Sequence, residues 1–215
     1  MNPALKLLLV FMIAFEISFL TNIWLNLFLI MAALIYLFWH RVHFKTIAIF
    51  SLIAFVPAVG IFLSQLYYGS HGLYMGAVLF TRLYAYVYLG LSFSLTTYIV
   101  NLAQALEQDF HVPAKFVYGV LAAINLVPRL KYEIQIIRAN GNMRGEQLNP
   151  WKPTLYFKAL LVALQWSGDL SQAMQSQGFV ENRPRTFITK VVISKKDLII
   201  FIGILIIVQI LAFTI

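Results

Sequence analysis

Long apolar runs with short polar interruptions fill the first hundred residues, an amphipathic stretch follows, and a last apolar run closes the chain. Residues 7–39 are apolar except at Glu16, Ser18, Thr21, Asn22 and Asn26. One helix of that length would run about 50 Å, well beyond a hydrocarbon core of roughly 30 Å. The Thr21-Asn22 pair therefore predicts a hairpin tip, with spans over 5–20 and 23–39. A third span is predicted over 46–68, kinked at Pro57 and Gly60. The connection Tyr67-Tyr68-Gly69-Ser70-His71-Gly72 leads to a fourth over 73–100, which holds Arg82. Residues 101–196 contain no uninterrupted apolar run of span length, and 197–215 carry the final span. The pattern predicts an all-α membrane protein: four spans in 1–100, a domain of two long amphipathic helices in 101–196, and a fifth span.

In the amphipathic segment, Val117, Val120, Ile124, Val127, Leu130, Ile134 and Ile137 recur at helical spacing, and Arg129, Lys131, Glu133 and Arg138 lie on the other side. Pro113 suits the first turn of this helix, and Pro128 predicts a kink where the spacing shortens. The helix closes at Met143-Arg144-Gly145. A second helix, over 154–177 and opened by Pro150-Trp151-Lys152-Pro153, stops at Ser176-Gln177-Gly178. Glycine after a helix is the ordinary left-handed cap, so the two similar endings alone do not establish a function.

Charge decides the orientation. The chain is 61% hydrophobic and only 11% charged, against about a quarter charged in soluble domains. Its net charge of +8 could suit nucleic acid, anionic lipid or an acidic partner, but the distribution favours a membrane: 12 of 16 Lys and Arg fall in residues 101–196, and the loops at Thr21-Asn22 and 67–72 have none. With Lys6, Arg41 and Lys45, fifteen basic residues then share one side, which the positive-inside rule makes cytoplasmic. No nucleic-acid partner is expected. The N-terminal 22 residues superficially resemble a signal peptide, but Glu16 interrupts the apolar core and no small-x-small site follows, so they are read as a span. Cysteine is absent, which excludes disulfides, thiolate metal sites and thiol catalysis.

Several short patterns, in order along the chain, resemble the transmembrane T component of energy-coupling-factor ABC transporters. They are Asn2-Pro3-Ala4-Leu5-Lys6-Leu7, Leu95-Thr96-Thr97, Val112-Pro113, Leu126-Val127-Pro128 with Glu133, and the two endings at Arg144 and Gln177. The resemblance implies a multi-pass subunit of a prokaryotic inner membrane, in an importer for a vitamin, a vitamin precursor or a transition metal ion. It implies as partners two cytoplasmic ABC ATPases, or one fused pair, and a substrate-binding membrane subunit, the S component. The residues implied to dock on the ATPases are Met143, Arg144, Gly145, Ser176, Gln177 and Gly178. The family places Ala-Arg-Gly at both ends; here the first lacks its alanine and the second has Gln177 for arginine. A guanidinium can grip a carboxylate with two charge-assisted bonds and a neutral amide cannot, so asymmetric docking is expected.

Glu16 and Arg82 are the two charges inside predicted spans, where a charge is expensive. An ion pair between spans one and four is one reading of them; positions near the interface and a partner contact are the others. His40 and His43 flank Arg41 as an interfacial basic cluster, and His71 and His111 stand alone, so no metal site is expected. Phe38, Trp39, Tyr67, Tyr68, Tyr98 and Trp151 form an interfacial belt. No G-x-x-x-x-G-K-[ST] loop occurs, so ATP and magnesium belong to partner subunits and no cofactor is expected on this chain. Asp109, Asp169 and Asp197 are too scattered for the diphosphate site of a membrane transferase. A self-contained carrier would need polar residues midway in several spans, and only Glu16 and Arg82 stand out.

Overall fold

The computed structural model describes residues 1–69, 72–146, 148–180, 183, 187, 191 and 193–214. Among them are eight helices and no strand: α1 (Pro3–Phe19), α2 (Ile23–Trp39), α3 (Phe44–Tyr68), α4 (Gly72–Ser94), α5 (Ile99–Asp109), α6 (Ala114–Met143), α7 (Pro153–Ser176) and α8 (Lys195–Thr214). The chain is an all-α membrane protein. Three of these helices, α3, α4 and α8, are long and apolar enough to cross a bilayer, and α2 is a shorter apolar helix of 17 residues. His71 and Ile215 lie outside the described residues.

The chain divides into two compact units, one of Met1–Ala105 with Val191–Ile215 and one of Leu106–Lys190. The expected limits of the amphipathic part, 101 and 196, lie five and six residues from those of the second unit. The fourth span also ends early, at Ser94 rather than 100. The Thr96 hydroxyl donates to the Ser92 carbonyl and Lys6 Nζ donates to Thr96. Such back-bonding to the carbonyl four residues earlier competes with the helix. Apolar patterning alone did not show this stop, because Val100 continues the hydrophobic run as part of α5.

In the first unit α4 is the hub, packing on α1, α2 and α3, while α8 packs on α1 and α2. It is the least apolar of the three long spans, with a mean hydropathy of 1.2 against 2.5 for α3 and 2.4 for α8. Its polar side chains reach each neighbour. The Thr81 hydroxyl and the Val78 carbonyl accept from Asn26 Nδ2 of α2 at 3.1 and 3.2 Å. Tyr84 and Tyr88 donate to Ser51 of α3, at its carbonyl (3.3 Å) and its hydroxyl (3.2 Å). Asn26 is completely buried. In hydrocarbon such groups have no water to fall back on, so interhelical bonds fix which faces meet.

Around this hub sit two apolar clusters, Leu9, Ile13, Ile17, Leu25, Leu29, Leu89 and Val208 in one, and Ala33, Leu37, Ile47, Tyr88 and Leu91 in the other. The starts of α1 and α2 are capped by asparagines. Asn2 Oδ1 accepts the Ala4 amide and Asn22 Oδ1 the Trp24 amide, each at 2.9 Å. Asn22 thereby makes the predicted hairpin tip, to which Tyr74 of α4 donates at the Thr21 carbonyl. The first unit is also tied at its ends. The Asn2 amide donates to Asp197 Oδ2 at 3.1 Å and the terminal amine lies 3.7 Å from Oδ1, so α1 and α8 start at one level and run parallel.

The second unit is built on α6 packed against α7. Pro113 caps α6 from outside, with ψ of 131°, and Ala114 is the first helical residue. Pro128 lies inside α6, which continues through it; proline cannot return a donor to the carbonyl of Ile124. The middle of the predicted apolar stripe does not face α7, although Val117 at its start is buried. Lys115, Tyr118, Ala122 and Leu126 line the groove shared with α7, and Arg129 stacks over Trp166 at 5.9 Å. Val120, Ile124 and Val127 lie on the opposite side of the helix and are exposed. Periodicity identified the stripe but not its partner.

Close packing of α3 on α4 depends on Gly76, where a Cβ would stand 3.1 Å from Phe62 Cδ2 and 3.3 Å from the Phe62 carbonyl oxygen. Gly76→Val should cost about 1–3 kcal/mol through overpacking, read as a lower melting temperature in detergent, whereas Gly90→Ala, with nothing within 4 Å, should leave it unchanged.

Candidate functional site

The ends of α6 and α7 share one geometry. At α6 the Gly145 amide donates to Asn142 O (3.1 Å) and the Glu146 amide reaches back five residues to Gly141 O (2.9 Å). At α7 the Gly178 amide donates to Gln175 O (3.0 Å) and the Phe179 amide to Met174 O (2.9 Å). This is the Schellman closure, which needs a left-handed residue just beyond the helix. Gly145 and Gly178 supply it, with φ of +75° and +82°. Arg144 and Gln177 occupy the same cap position, at φ/ψ of −92/6° and −85/8°.

Met143, Arg144 and Gly145 are exposed, as are Ser176, Gln177 and Gly178. Neither Arg144 nor Gln177 is held by a side-chain bond among the described residues, so each cap projects a side chain free to meet a partner. Gly145 lines a cavity of about 460 Å³ with Arg138, Asn142 and Asn149. Gln177 and Gly178 line a separate one of about 620 Å³ with Tyr118, Trp166 and Phe179. Backbone geometry is thus repeated while the chemistry around it differs.

Two segments that carry the resemblance, 2–7 and 95–97, also meet. Lys6 donates to Thr96 and lies 4.9 Å from the centre of the Tyr36 ring, joining the start of α1 to α2 and to the turn after α4. This junction was not foreseen from the sequence, in which the three residues are up to 90 positions apart.

The ion pair between Glu16 and Arg82 does not form. Arg82 donates from Nη1 to the Ser18 carbonyl at 3.2 Å and from Nη2 to the Leu20 carbonyl. Those carbonyls lie at the C-terminal end of α1, where the helix leaves acceptors unpaired and its dipole favours a cation. Glu16 instead lines an apolar groove with Leu205, Gln209 and Phe213 of α8, and its Oε1 has no hydrogen-bond partner. Helical position decides this: Glu16 lies on the side of α1 that meets α8, and Arg82 comes from α4.

His40 packs against Tyr36 with ring centres 4.6 Å apart and planes tilted by 55°, and His43 precedes α3 as its cap residue. Among the described residues no three His, Asp or Glu side chains gather where a metal ion could be held.

A family model described as cobalt transport protein, CbiQ, matches residues 1–188. The chain belongs to this family. CbiQ proteins are the T component family of energy-coupling-factor transporters, so the chain is a membrane component of a transport system. The matched region covers both capped ends and the Lys6–Thr96 junction and stops before α8. Among curated proteins, none matches the chain.

The cap geometry sets a first test within this CbiQ-family unit. Nothing lies within 4 Å of a Cβ built on Gly145 or Gly178, so only the backbone resists substitution. Gly145→Ala should cost roughly 1–2 kcal/mol, seen as faster amide exchange at residues 142–146, and Gly145→Asn should cost less. A second test concerns the first unit. Arg82→Gln should lower the melting temperature and Glu16→Gln should not; a double-mutant cycle should give a coupling near zero, and a large coupling would restore the ion pair.

Proposed function

We propose that the chain is the energy-coupling membrane subunit of an importer, in which α6 and α7 present their capped ends to two ABC ATPase subunits or one fused pair. The observation that supports this most directly is the duplicated cap: two exposed helix ends of the same backbone geometry, suited to two similar receiving grooves. The first unit then carries the S component, which binds the substrate, so that motion of the ATPases at the helix ends becomes motion of that partner. ATP and magnesium act on the ATPases. The family description favours a transition metal ion such as cobalt as the cargo, ahead of a vitamin or vitamin precursor. The surplus of basic residues supports five spans with the N-terminus and second unit in the cytoplasm of a prokaryotic cell.

The two ends differ in strength. Arg144 makes a charged contact with its ATPase, and Gln177 a neutral one. In pull-downs, Arg144→Ala should weaken ATPase binding about tenfold or more and Gln177→Ala about threefold, with transport falling in parallel. Full assembly and transport by Arg144→Ala would refute the coupling role. In liposomes the chain alone should move no substrate, and adding the ATPases and S component should give ATP-dependent uptake. Uptake by the chain alone would make it a self-contained carrier.

A further inference from the structure

Beyond its glycine cap, the end of α6 has a feature that the end of α7 lacks. After Gly145 the chain folds back over its own last turn, and Leu148, only 4% exposed, settles on Gly141. A Cβ at Gly141 would lie 2.8 Å from Leu148 Cδ1 and 2.9 Å from the Glu146 carbonyl oxygen, so this close return requires glycine there. Lys158 of α7 holds Glu146 at 3.4 Å. The fold-back brings Asn149 and Pro150 beside Arg138 and Asn142 and forms one wall of the open cavity of about 460 Å³.

Among the described residues, the lining of that cavity carries one guanidinium, two carboxamides and no carboxylate. Arg138 Nε is buried and has no hydrogen-bond partner. Glu133, five residues earlier, points to a different side of the helix, and Glu146, the first acidic group after Arg138, is paired with Lys158. A cation with a buried donor left unmatched is a site waiting for an anion. The corresponding positions before the second cap, thirty-three residues on as from Arg144 to Gln177, are Ser171 and Gln175, which bring no charge.

We infer that this cavity receives an acidic side chain of the ATPase docked at the α6 end, with Arg138 gripping the carboxylate and Asn142 and Asn149 orienting it. The inference rests on the coupling role proposed above and sharpens it. Arg138 and Arg144 together give the α6 end two cationic contacts, whereas the cavity at Gln177 and Gly178 carries Arg183 alone, so the two ends differ in charge and the cavity biases which ATPase groove takes which helix.

The test uses the purified full-length chain with the ATPase subunits of its own transporter complex, with affinity measured at low and high salt. Arg138→Gln should weaken binding about tenfold and flatten its salt dependence. Arg138→Lys should recover part of the loss. Gly141→Ala, which keeps the cation but displaces Leu148, should weaken binding in the same direction, and Ser171→Ala should not. Unchanged melting temperatures for the Arg138 variants separate contact from folding. If Arg144→Ala weakens assembly while Arg138→Gln binds like the unmodified chain, the cavity proposal fails and the coupling role stands. If neither variant weakens assembly, the coupling role itself fails. If Arg138→Gln loses affinity for phosphatidylglycerol vesicles and keeps it for the ATPases, the cavity holds a lipid phosphate and the proposal is overturned.

Discussion

Satisfying polar groups on one helix buried among apolar neighbours is the constraint on which the first unit depends. α4 carries Thr81, Arg82, Tyr84, Tyr88 and Ser92, and each finds a partner on another helix or on its own backbone. Apolar contact between helices is worth little in lipid, where tails pack as well as leucines do. Hydrogen bonds from α4 to α1, α2 and α3 therefore select the arrangement, and the apolar clusters fill in around it. This accounts for the low hydropathy of a helix that is also the most buried of the three long spans.

Arg82 meets such a constraint with its two terminal nitrogens, while its Nε is buried with no partner among the described residues. A guanidinium in a span could seek a carboxylate, but burying an ion pair costs both partners their hydration. The frayed end of α1 already offers carbonyls with partial negative charge. Arg82 ties the end of α1 to α4 with bonds the helix cannot make for itself, and Glu16 stays outside the arrangement, facing α8.

The second unit follows a different logic. Its helices leave Val120, Val127, Phe157, Leu161 and Leu164 exposed, and its two ends share one backbone closure, to which different side-chain contacts are added: Leu148 on Gly141 at one and Phe179 against Tyr118 at the other. A glycine in the left-handed region fixes the direction of the cap residue before it, so Arg144 and Gln177 are presented in the same way whatever their chemistry. Differences between the two ends then come from the surroundings, above all from the return of Leu148 onto Gly141.

The sequence by itself determined the helices, their caps and the membrane class. Asn22, Gly145 and Gly178 act through their own backbone neighbourhood, and hydrophobic runs report burial in any apolar medium, so both are local signals. The family resemblance was legible for a similar reason, as ordered short patterns on those helices. Pairings between helices were decided only by tertiary structure: Lys6 with Thr96, Asn26 with Thr81, Arg82 with the end of α1, and the face of α6 that meets α7. Each depends on which carbonyl or hydroxyl of a distant segment arrives within about 3 Å. Periodicity gives the direction of a side chain around its own axis and not the position of its neighbour, so a plausible charge pair at positions 16 and 82 gave way to helix-end carbonyls that were closer.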